Sequence, residues 1–246
     1  MNTFPKLLFA AAFAAILSAQ TAEELVNRNL QAKGGLDKIK AIHSLRATGK
    51  VQQGGGFTLQ VGALSMAPNL LRQSFTIQGM TQIAAYDGTS GWKISPFEGR
   101  RDPELLGDDE LRTLVEEANF FGPLVDYQAQ GNRVEYIGKD TLDGDDVYRL
   151  KVTLKNGDIY YYYLDPETFL EVRMEKVQFI HGAVRETVVE CGSYKLVGGV
   201  YMPFTYEVGS RQNPESRSKI TYDRIEPNVT LDPAEFRMPA APGREL

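Results

Sequence analysis

The sequence predicts a mainly β (α+β) fold in which a single curled antiparallel sheet forms an incomplete barrel closed by two or three helices. From residue 44 onward apolar residues alternate with polar ones, which is the period of a strand that buries one face. About a dozen such runs follow one another across short turns, which indicates consecutive hairpins. Few segments have helical spacing, too few to cover a flat sheet of this length, and a long antiparallel sheet curls.

Residues 1–20 have the pattern of a secretory signal peptide. The short start carries one charge, Lys6, residues 7–17 form an apolar run, and small or polar residues fill positions 18–22. The apolar run is too short to span a bilayer. We therefore expect cleavage within residues 18–22, export to the periplasm and a single domain over residues 21–246. A buried N-terminal helix is the alternative.

Charge and cysteine content limit the class of protein. The chain has 27 Lys and Arg against 32 Asp and Glu, a net charge of −5, with both signs scattered along it. Nucleic acid binding requires a basic patch, which this distribution does not provide. Cys191 is the only cysteine, so no intramolecular disulfide can form and the fold must rely on its apolar core.

Helical spacing marks the start of the predicted domain and one segment in its middle. Thr21 and Glu24 form a capping box, apolar residues recur behind them on one face, and Gly34 ends the helix. Farther along, Asp108 or Asp109 caps a helix that carries leucines on one face. The predicted helices cover residues 22–33, 36–42 and 109–120.

Strands account for most of the remaining chain. Gly-rich and Asp-Gly breaks separate them, for example at residues 54–56 and 87–88. Because the connections are short, we expect an antiparallel meander, followed by an irregular tail over residues 233–246. The predicted strands cover residues 44–53, 56–66, 69–78, 80–87, 90–95, 132–141, 145–155, 158–165, 168–180, 184–197, 200–210 and 217–226.

The segment GDIYYYYLDPETFLEVRMEK, residues 157–176, predicts a hairpin with aromatic residues on both faces. A turn at its Asp-Pro places Leu164 opposite Leu170, so that Tyr160 and Tyr162 point inward and the other two tyrosines outward. Filled cores usually use aliphatic residues, so inward tyrosines favour a cavity. An ordinary core, with the tyrosine hydroxyls bonded to backbone, stays open as the alternative.

The sequence contains no familiar catalytic pattern. It has two histidines, His43 and His181, and no HExxH, CxxC, GxSxG, Walker or dinucleotide-binding glycine motif. The acidic residues 143–146 are typical of a hairpin turn, and Cys191 at a strand position is typical of a small buried residue. Calcium binding and a reactive thiol are the less favoured alternatives. We therefore expect no enzyme activity, no cofactor and no metal.

Five segments occur in order along the chain: PNLLRQSF (68–75), YDGTSGWKISPFEGR (86–100), YYLDPETFLEVRMEK (162–176), YKLVGGVYMPFTYEV (194–208) and LDPAEFRMPAAPG (231–243). Together they resemble the periplasmic lipoprotein carrier LolA and its relatives, the outer-membrane lipoprotein-sorting proteins. With the signal peptide and the capped helix, the resemblance covers about residues 22–243.

This resemblance implies an incomplete barrel around an apolar cavity that holds the acyl chains of a lipid or lipoprotein in transit through the periplasm. It implies no catalysis and no cofactor. As partners it implies a lipid or lipoprotein, an inner-membrane transporter and an outer-membrane acceptor, and no nucleic acid. The alternative is a non-transporting envelope sensor or protein-interaction module with the same fold.

Ala67 departs from the family pattern. Directly before Pro-Asn-Leu the carrier has an arginine that ties the lid helices to the barrel, and this chain has alanine there. The difference bears on the transfer of lipoprotein more than on the presence of a cavity.

We predict that eleven residues line the lipid-binding cavity. Alternation within the predicted strands 145–155, 158–165 and 168–180 points seven of them inward. Leu71 and Phe75 lie an even number of residues apart on one strand and therefore share a face, whereas Leu64 and Trp92 follow from the resemblance. The predicted lining is Leu64, Leu71, Phe75, Trp92, Tyr148, Leu150, Val152, Tyr160, Tyr162, Val172 and Met174.

Overall fold

The computed structural model describes residues 21–180 and 182–240, and these contain one antiparallel sheet of 13 strands and a separate two-stranded hairpin. The predicted signal peptide lies outside the described residues. The strands are β1 (Ser44–Gln52), β2 (Thr58–Met66), β3 (Leu70–Ile77), β4 (Met80–Tyr86), β5 (Gly91–Ser95), β6 (Arg100–Leu105), β7 (Arg133–Leu142), β8 (Asp145–Thr153), β9 (Ile159–Leu164), β10 (Glu171–Ile180), β11 (Ala183–Gly192), β12 (Lys195–Val197), β13 (Val200–Met202), β14 (Thr205–Ser210) and β15 (Asn213–Pro227).

Helices are few in the described part of the chain. Thr21 caps the first of them by accepting a hydrogen bond from the Glu24 N–H at 3.1 Å, as the capping box predicts. Gly34 follows this helix with φ 129°, and a Cβ there would lie 2.3 Å from the Gly199 carbonyl oxygen, so only glycine fits. The helices are α1 (Ala22–Lys33), α2 (Leu36–Lys40) and α3 (Asp108–Glu117), with 3₁₀ helices at Pro96–Glu98 and Pro233–Phe236.

The strand order explains why the barrel stays incomplete. The order is β6-β5-β4-β3-β2-β1-β15-β14-β11-β10-β9-β8-β7. The chain runs outward from β1 to β6, crosses through α3 to the opposite edge at β7, and returns inward to β15, which pairs with β1. β6 and β7 are the two open edges, and α3 is the connection between them. The predicted fold class is therefore confirmed.

Three groups of buried residues share the inner face of the sheet. The largest joins β8 and β9 to α1, α2 and the loop that follows α3. A second seats Leu114 of α3 on Leu71 of β3 and Tyr86 of β4. The third contains Val51 and Leu59, which oppose each other on β1 and β2. The helices therefore cover the inner face, where the sequence placed its apolar side chains.

Three parts of the structure differ from the prediction. β6 was missed because it is an edge strand of mostly charged residues that includes Pro103, so it has no alternating pattern. The predicted strands 184–197 and 200–210 are each divided, because β12 and β13 leave the main sheet as their own hairpin. The expected irregular tail begins with a 3₁₀ helix, which Asp232 caps and whose Phe236 is fully buried.

The register of β9 and β10 also differs by one residue. Leu164 opposes Glu171, not Leu170, and a bulge at Val172 then brings Met174 opposite Tyr162. A bulge inserts one unpaired residue, which alternation along a single strand cannot reveal. Tyr160 and Tyr162 nevertheless point inward, because the register with β8 places them opposite Val152 and Leu150 in the largest core group.

Candidate functional site

An apolar cavity of about 160 Å³ lies beneath α1 and α2. An engineered apolar cavity of about 150 Å³ is large enough for benzene. The cavity as it stands therefore admits a group of that size, and a whole acyl chain requires the covering segments to move apart. Its lining includes Leu30, Ile39, Ile42, Leu45, residues 120–125, Tyr162 and residues 200–203.

One buried ion pair interrupts the apolar wall of this cavity. Lys33, at the end of α1, pairs with Glu171, at the start of β10, and both residues border the cavity. Glu171 is 6% exposed, and the Tyr194 hydroxyl donates to its backbone oxygen at 2.8 Å and to its Oε2 at 3.2 Å. Because removing one partner of a buried pair leaves an uncompensated charge, this pair holds the end of α1 against the sheet.

Asn29 gives α1 a second polar contact close to the start of β10. Its side chain is fully buried, and its Nδ2 donates to the Phe169 carbonyl oxygen at 2.8 Å. Its Oδ1 is buried without a hydrogen-bond partner among the described residues. The contact fixes the middle of α1 on the hairpin that joins β9 to β10.

Helix α3 is fastened to the β9 side of the barrel by side-chain hydrogen bonds. Arg112 forms a two-pronged pair with Asp158, with Nε donating to Oδ2 at 3.0 Å, and Asp158 is 3% exposed. One turn later Glu116 accepts hydrogen bonds from Asn156 at 2.6 Å, from Gln178 at 2.9 Å and from the Tyr160 hydroxyl. These contacts are directional and polar, and they add to the apolar packing of Leu114 against Leu71 and Tyr86.

The opposite side of α3 is fastened to the first half of the sheet. Gln73 of β3 donates to Glu117 at 3.1 Å, and Lys93 of β5 donates to Glu110 at 2.7 Å. Helix α3 therefore contacts both halves of the open barrel, and we refer to this helix as the lid. At position 67 the Ala67 N–H donates to the His43 carbonyl oxygen at 2.9 Å, so this residue contributes a backbone contact where the carrier has its arginine.

The carboxyl group of Glu116 in this lid has a shifted pKa. Burial, followed by its interactions with Asp158, raises the pKa of Glu116 from 4.5 to about 7. Asp158 keeps its charge partner, Arg112, so the two carboxyl groups differ in environment. The lid therefore gains or loses one charge near neutral pH.

We expect α3 to be held less firmly as the pH rises. Below pH 4.5 the Glu116 carboxyl is protonated whether α3 is seated on the barrel or released from it. Between pH 4.5 and about 7 this carboxyl loses its proton only when α3 is released, so the seated state becomes less stable as the pH rises. Hydrogen exchange of the α3 amides, corrected for the intrinsic rate, should be several-fold faster above pH 7 than below pH 4.5. Glu116→Gln cannot ionise and should abolish this dependence; a variant with the same pH response would contradict the assignment.

Six of the predicted lining residues lie in or against the core beneath α1 and α2. Tyr162 borders the cavity itself. Two more, Leu71 and Phe75, lie on the inner face nearer α3, and Phe75 borders a separate gap of about 300 Å³ beneath that helix. The six are Tyr148, Leu150, Val152, Tyr160, Tyr162 and Met174.

Two predicted lining residues lie elsewhere. Leu64 and Trp92 belong to one cross-strand row that includes Arg72 and faces away from Leu71, so they are on the outer face. There the Trp92 Nε1 donates to the Phe236 carbonyl oxygen at 2.7 Å, beneath the C-terminal 3₁₀ helix. The assignment of Leu64 and Trp92 to the interior was wrong because it depended on the resemblance. The remaining residue, Val172, is the unpaired residue of the bulge in β10, so its place in the cavity lining stays a prediction.

The outward tyrosines are covered as well. The Arg149 guanidinium lies over the Tyr161 and Tyr163 rings, 4.6 and 5.2 Å from their centroids. Tyr163 is only 5% exposed. The tyrosines on the two faces therefore have different contacts. Tyr160 and Tyr162 pack in the core beneath the helices, whereas Tyr161 and Tyr163 lie under an arginine.

Sequence reasoning missed several residues at the cavity. Lys33 and Glu171 lie far apart in the sequence, and no spacing pattern links them. Residues 120–125 were interpreted as the end of a helix, and residues 200–203 as part of one long strand. The two consecutive glycines, Gly198 and Gly199, were the available signal, because a Gly-Gly pair between short apolar runs is typical of a hairpin turn.

No group of three or more His, Cys, Asp or Glu side chains within residues 21–180 and 182–240 is arranged to hold a metal. Burial, and then Glu171, raise the pKa of the Cys191 thiol to about 12, so the thiol stays protonated at neutral pH. In the same described ranges, no helix has the length and apolar character needed to cross a membrane.

No family model and no curated protein matches the chain. Several solved structures do. A LolA superfamily protein from Nitrosomonas europaea has a TM-score of 0.59 at 12% identity, with 89% of this chain and 98% of that chain covered. A DUF1329 family protein from Desulfovibrio piger has a TM-score of 0.60 at 14% identity, with 88% and 97% covered. The fold is LolA-like.

A third structure extends the likeness. An outer membrane lipoprotein-sorting protein domain from Vibrio parahaemolyticus has a TM-score of 0.57 at 13% identity and covers 87% of this chain and 97% of its own. The LolA-like architecture that the five sequence segments implied is thus confirmed over most of the chain. At such low identity the likeness establishes the fold alone.

Proposed function

We propose that the protein is a periplasmic carrier that holds acyl chains of a lipid or lipoprotein in the cavity beneath α1 and α2. The observation that carries the proposal is the cavity itself: an apolar space of about 160 Å³ between a curved sheet and helices that polar contacts hold in place. Each CH₂ group that enters such a space contributes about 0.8 kcal/mol.

The lid supplies the movement that a carrier needs. A full acyl chain exceeds the cavity as it stands, so α1 or α3 must shift to enlarge it. Besides the apolar residues beneath α1 and α3, the contacts that hold these helices are an ion pair at Lys33, a second at Arg112 and the hydrogen bonds of Glu116. Opening must therefore break these polar contacts and separate part of the apolar interface.

The periplasmic location is proposed on the pattern of residues 1–20. A lone lysine, an apolar run and small residues are typical of a signal peptide, and an exported lipid carrier requires one.

A single experiment tests both location and ligand. The full-length chain, expressed in a bacterium and recovered from the periplasm, should begin within residues 19–23 by N-terminal sequencing. Native mass spectrometry should then show an added mass, and organic extraction should identify it as a lipid or an acylated peptide. Retention of Met1 would contradict export, whereas an exported protein without any lipid would contradict the carrier.

The alternative is a non-transporting envelope sensor or protein-interaction module. The small size of the closed cavity favours it, since a barrel that never opens has no room for an acyl chain. Protein recovered without lipid, and unable to take up a fluorescent fatty acid after purification, would support this alternative.

A further inference from the structure

The β12–β13 hairpin is built apart from the main sheet and has two apolar faces. Its strands are joined by Gly198 and Gly199, both with positive φ, and Val197 pairs with Val200 beside the turn. These two valines are 6% and 4% exposed, so one face of the hairpin is buried in the protein.

The other face of the hairpin points into solvent. Leu196 is 61% exposed and its cross-strand partner Tyr201 is 44% exposed. Tyr201 also borders the cavity, together with Met202 and Pro203. An exposed apolar pair therefore lies at the edge of the space in which we place the acyl chain.

Two lysines lie beside the hairpin, although the chain as a whole is acidic, with a net charge of −5. Lys195 begins β12 with its Nζ 4.3 Å from the Phe204 ring centroid, and the stem of Lys38 lies along the turn, with its Cδ 3.2 Å from where a Cβ on Gly199 would be. The nearby Lys40 is paired with Asp126. Asp37 is the acidic residue on the same short helix as Lys38, so the balance of charge beside the hairpin is positive.

We propose that the β12–β13 hairpin docks the protein on an anionic phospholipid bilayer, with Leu196 and Tyr201 entering the headgroup region and Lys38 and Lys195 against the lipid phosphates. Tyrosine is favoured at membrane interfaces because its ring is apolar and its hydroxyl is polar. Each lysine near an anionic surface strengthens binding about fivefold.

The size of the surface favours a bilayer over a protein. A stable protein interface buries about 800 Å² on each partner, far more than two side chains provide. Interfacial membrane binding needs only a few apolar anchors beside basic residues. Docking in this way would bring the opening of the cavity to the membrane surface, and it stands whether or not the cavity accepts an acyl chain.

The test is sedimentation of the whole purified protein with two kinds of vesicle: phosphatidylcholine alone, and equal parts of phosphatidylcholine and phosphatidylglycerol. We expect binding to the anionic vesicles, weaker binding to the neutral ones, and weakening with added salt. The double variant Leu196→Glu/Tyr201→Glu should bind anionic vesicles at least tenfold less. Both side chains are exposed, so its thermal unfolding should match that of the wild type.

The matched control is a second exposed cross-strand pair. Phe179 and Val184 are 58% and 59% exposed on the β10–β11 hairpin, and Phe179→Glu/Val184→Glu introduces the same charges there. This variant should bind vesicles as the wild type does. Lys38→Glu/Lys195→Glu should lose the preference for anionic vesicles.

Several outcomes would overturn the proposal. The first is a wild type that binds neither kind of vesicle, and the second is a Leu196→Glu/Tyr201→Glu variant that binds as the wild type does. The third is an equal loss of binding in Leu196→Glu/Tyr201→Glu and in the control Phe179→Glu/Val184→Glu. A hairpin variant that loses a protein partner from the envelope while vesicle binding is absent would assign the surface to a protein instead. Uptake of a fluorescent fatty acid, measured on the same variants in solution, separates failure of docking from failure of the carrier function.

Discussion

Val125→Trp is expected to lower the affinity for a fluorescent fatty acid at least tenfold. Val125 borders the cavity and is 4% exposed, so a larger side chain there extends into the empty space. If the indole excludes only two CH₂ groups of the ligand, the loss is about 1.6 kcal/mol, which exceeds the 1.4 kcal/mol that corresponds to about tenfold in affinity. Fluorescence titration of the purified variant measures the change.

The control for this substitution is Val184→Trp. Val184 is 59% exposed on β11, so the same exchange adds the same side chain outside the barrel and should leave affinity unchanged. Thermal unfolding of both variants is needed because overpacking can cost about 1–3 kcal/mol. A folded Val125→Trp protein that takes up the probe as the wild type does would show that the ligand binds elsewhere.

Tyr163 is unsuitable as an outward control for charge substitutions, although strand phase points it away from the cavity. It is 5% exposed beneath Arg149, so Tyr163→Asp would bury a carboxylate and destabilise the sheet for reasons unrelated to a ligand. Tyr162→Asp has the same defect, because Tyr162 at the cavity wall is also 5% exposed, so the loss of uptake expected from it does not separate ligand binding from folding.

Arg112→Ala is expected to release α3 from the β9 side of the barrel. Asp158 would lose its charge partner while 3% exposed, and breaking a buried pair in this way costs about 3–5 kcal/mol. Hydrogen exchange should show lower protection of the α3 amides, and the probe should enter faster than in the wild type. Unchanged protection, or slower entry, would contradict the role of α3 as the lid.

A surface pair of the same chemistry provides the control for Arg112. The Arg100 guanidinium donates to both carboxylate oxygens of Glu104, yet the Arg100 side chain is 60% exposed. Arg100→Ala should therefore lower the free energy of unfolding by less than about 1 kcal/mol. Adding Asp158→Asn to Arg112→Ala removes the unpaired charge and should restore part of the lost stability. Rescue by Asn would separate the cost of the buried charge from the loss of arginine packing.

Local patterns were enough to predict the architecture. Alternation in β8 and β9 identified the face that carries Leu150 and Tyr162. Successive residues of a strand point to opposite faces whichever strands lie beside it, so this assignment needs only the local sequence. The N-cap at Thr21 likewise involves residues within one turn of helix. Features of this kind depend on neighbours in sequence, and each was placed correctly.

What could not be predicted depends on contacts between distant segments. Nothing near Lys33 indicates that Glu171 will be its partner. The bulge at Val172 exists only relative to β9, and Trp92 faces outward because a C-terminal helix carrying Phe236 covers it there. The candidate site was therefore found in part: the strands beneath the helices were recognised, while the ion pairs and the hairpin that border the cavity were not.

The pairing of β1 with β15 has a consequence for how the chain folds. β1 is near the start of the domain and β15 near its end, yet they meet at the centre of the sheet. The first six strands can form local hairpins early, but one side of β1 stays unpaired until the last strand arrives. Closing so long a loop makes folding slow, and an unpaired strand edge is prone to aggregate meanwhile. A truncation that removes β15 should therefore yield an aggregating chain instead of a smaller barrel.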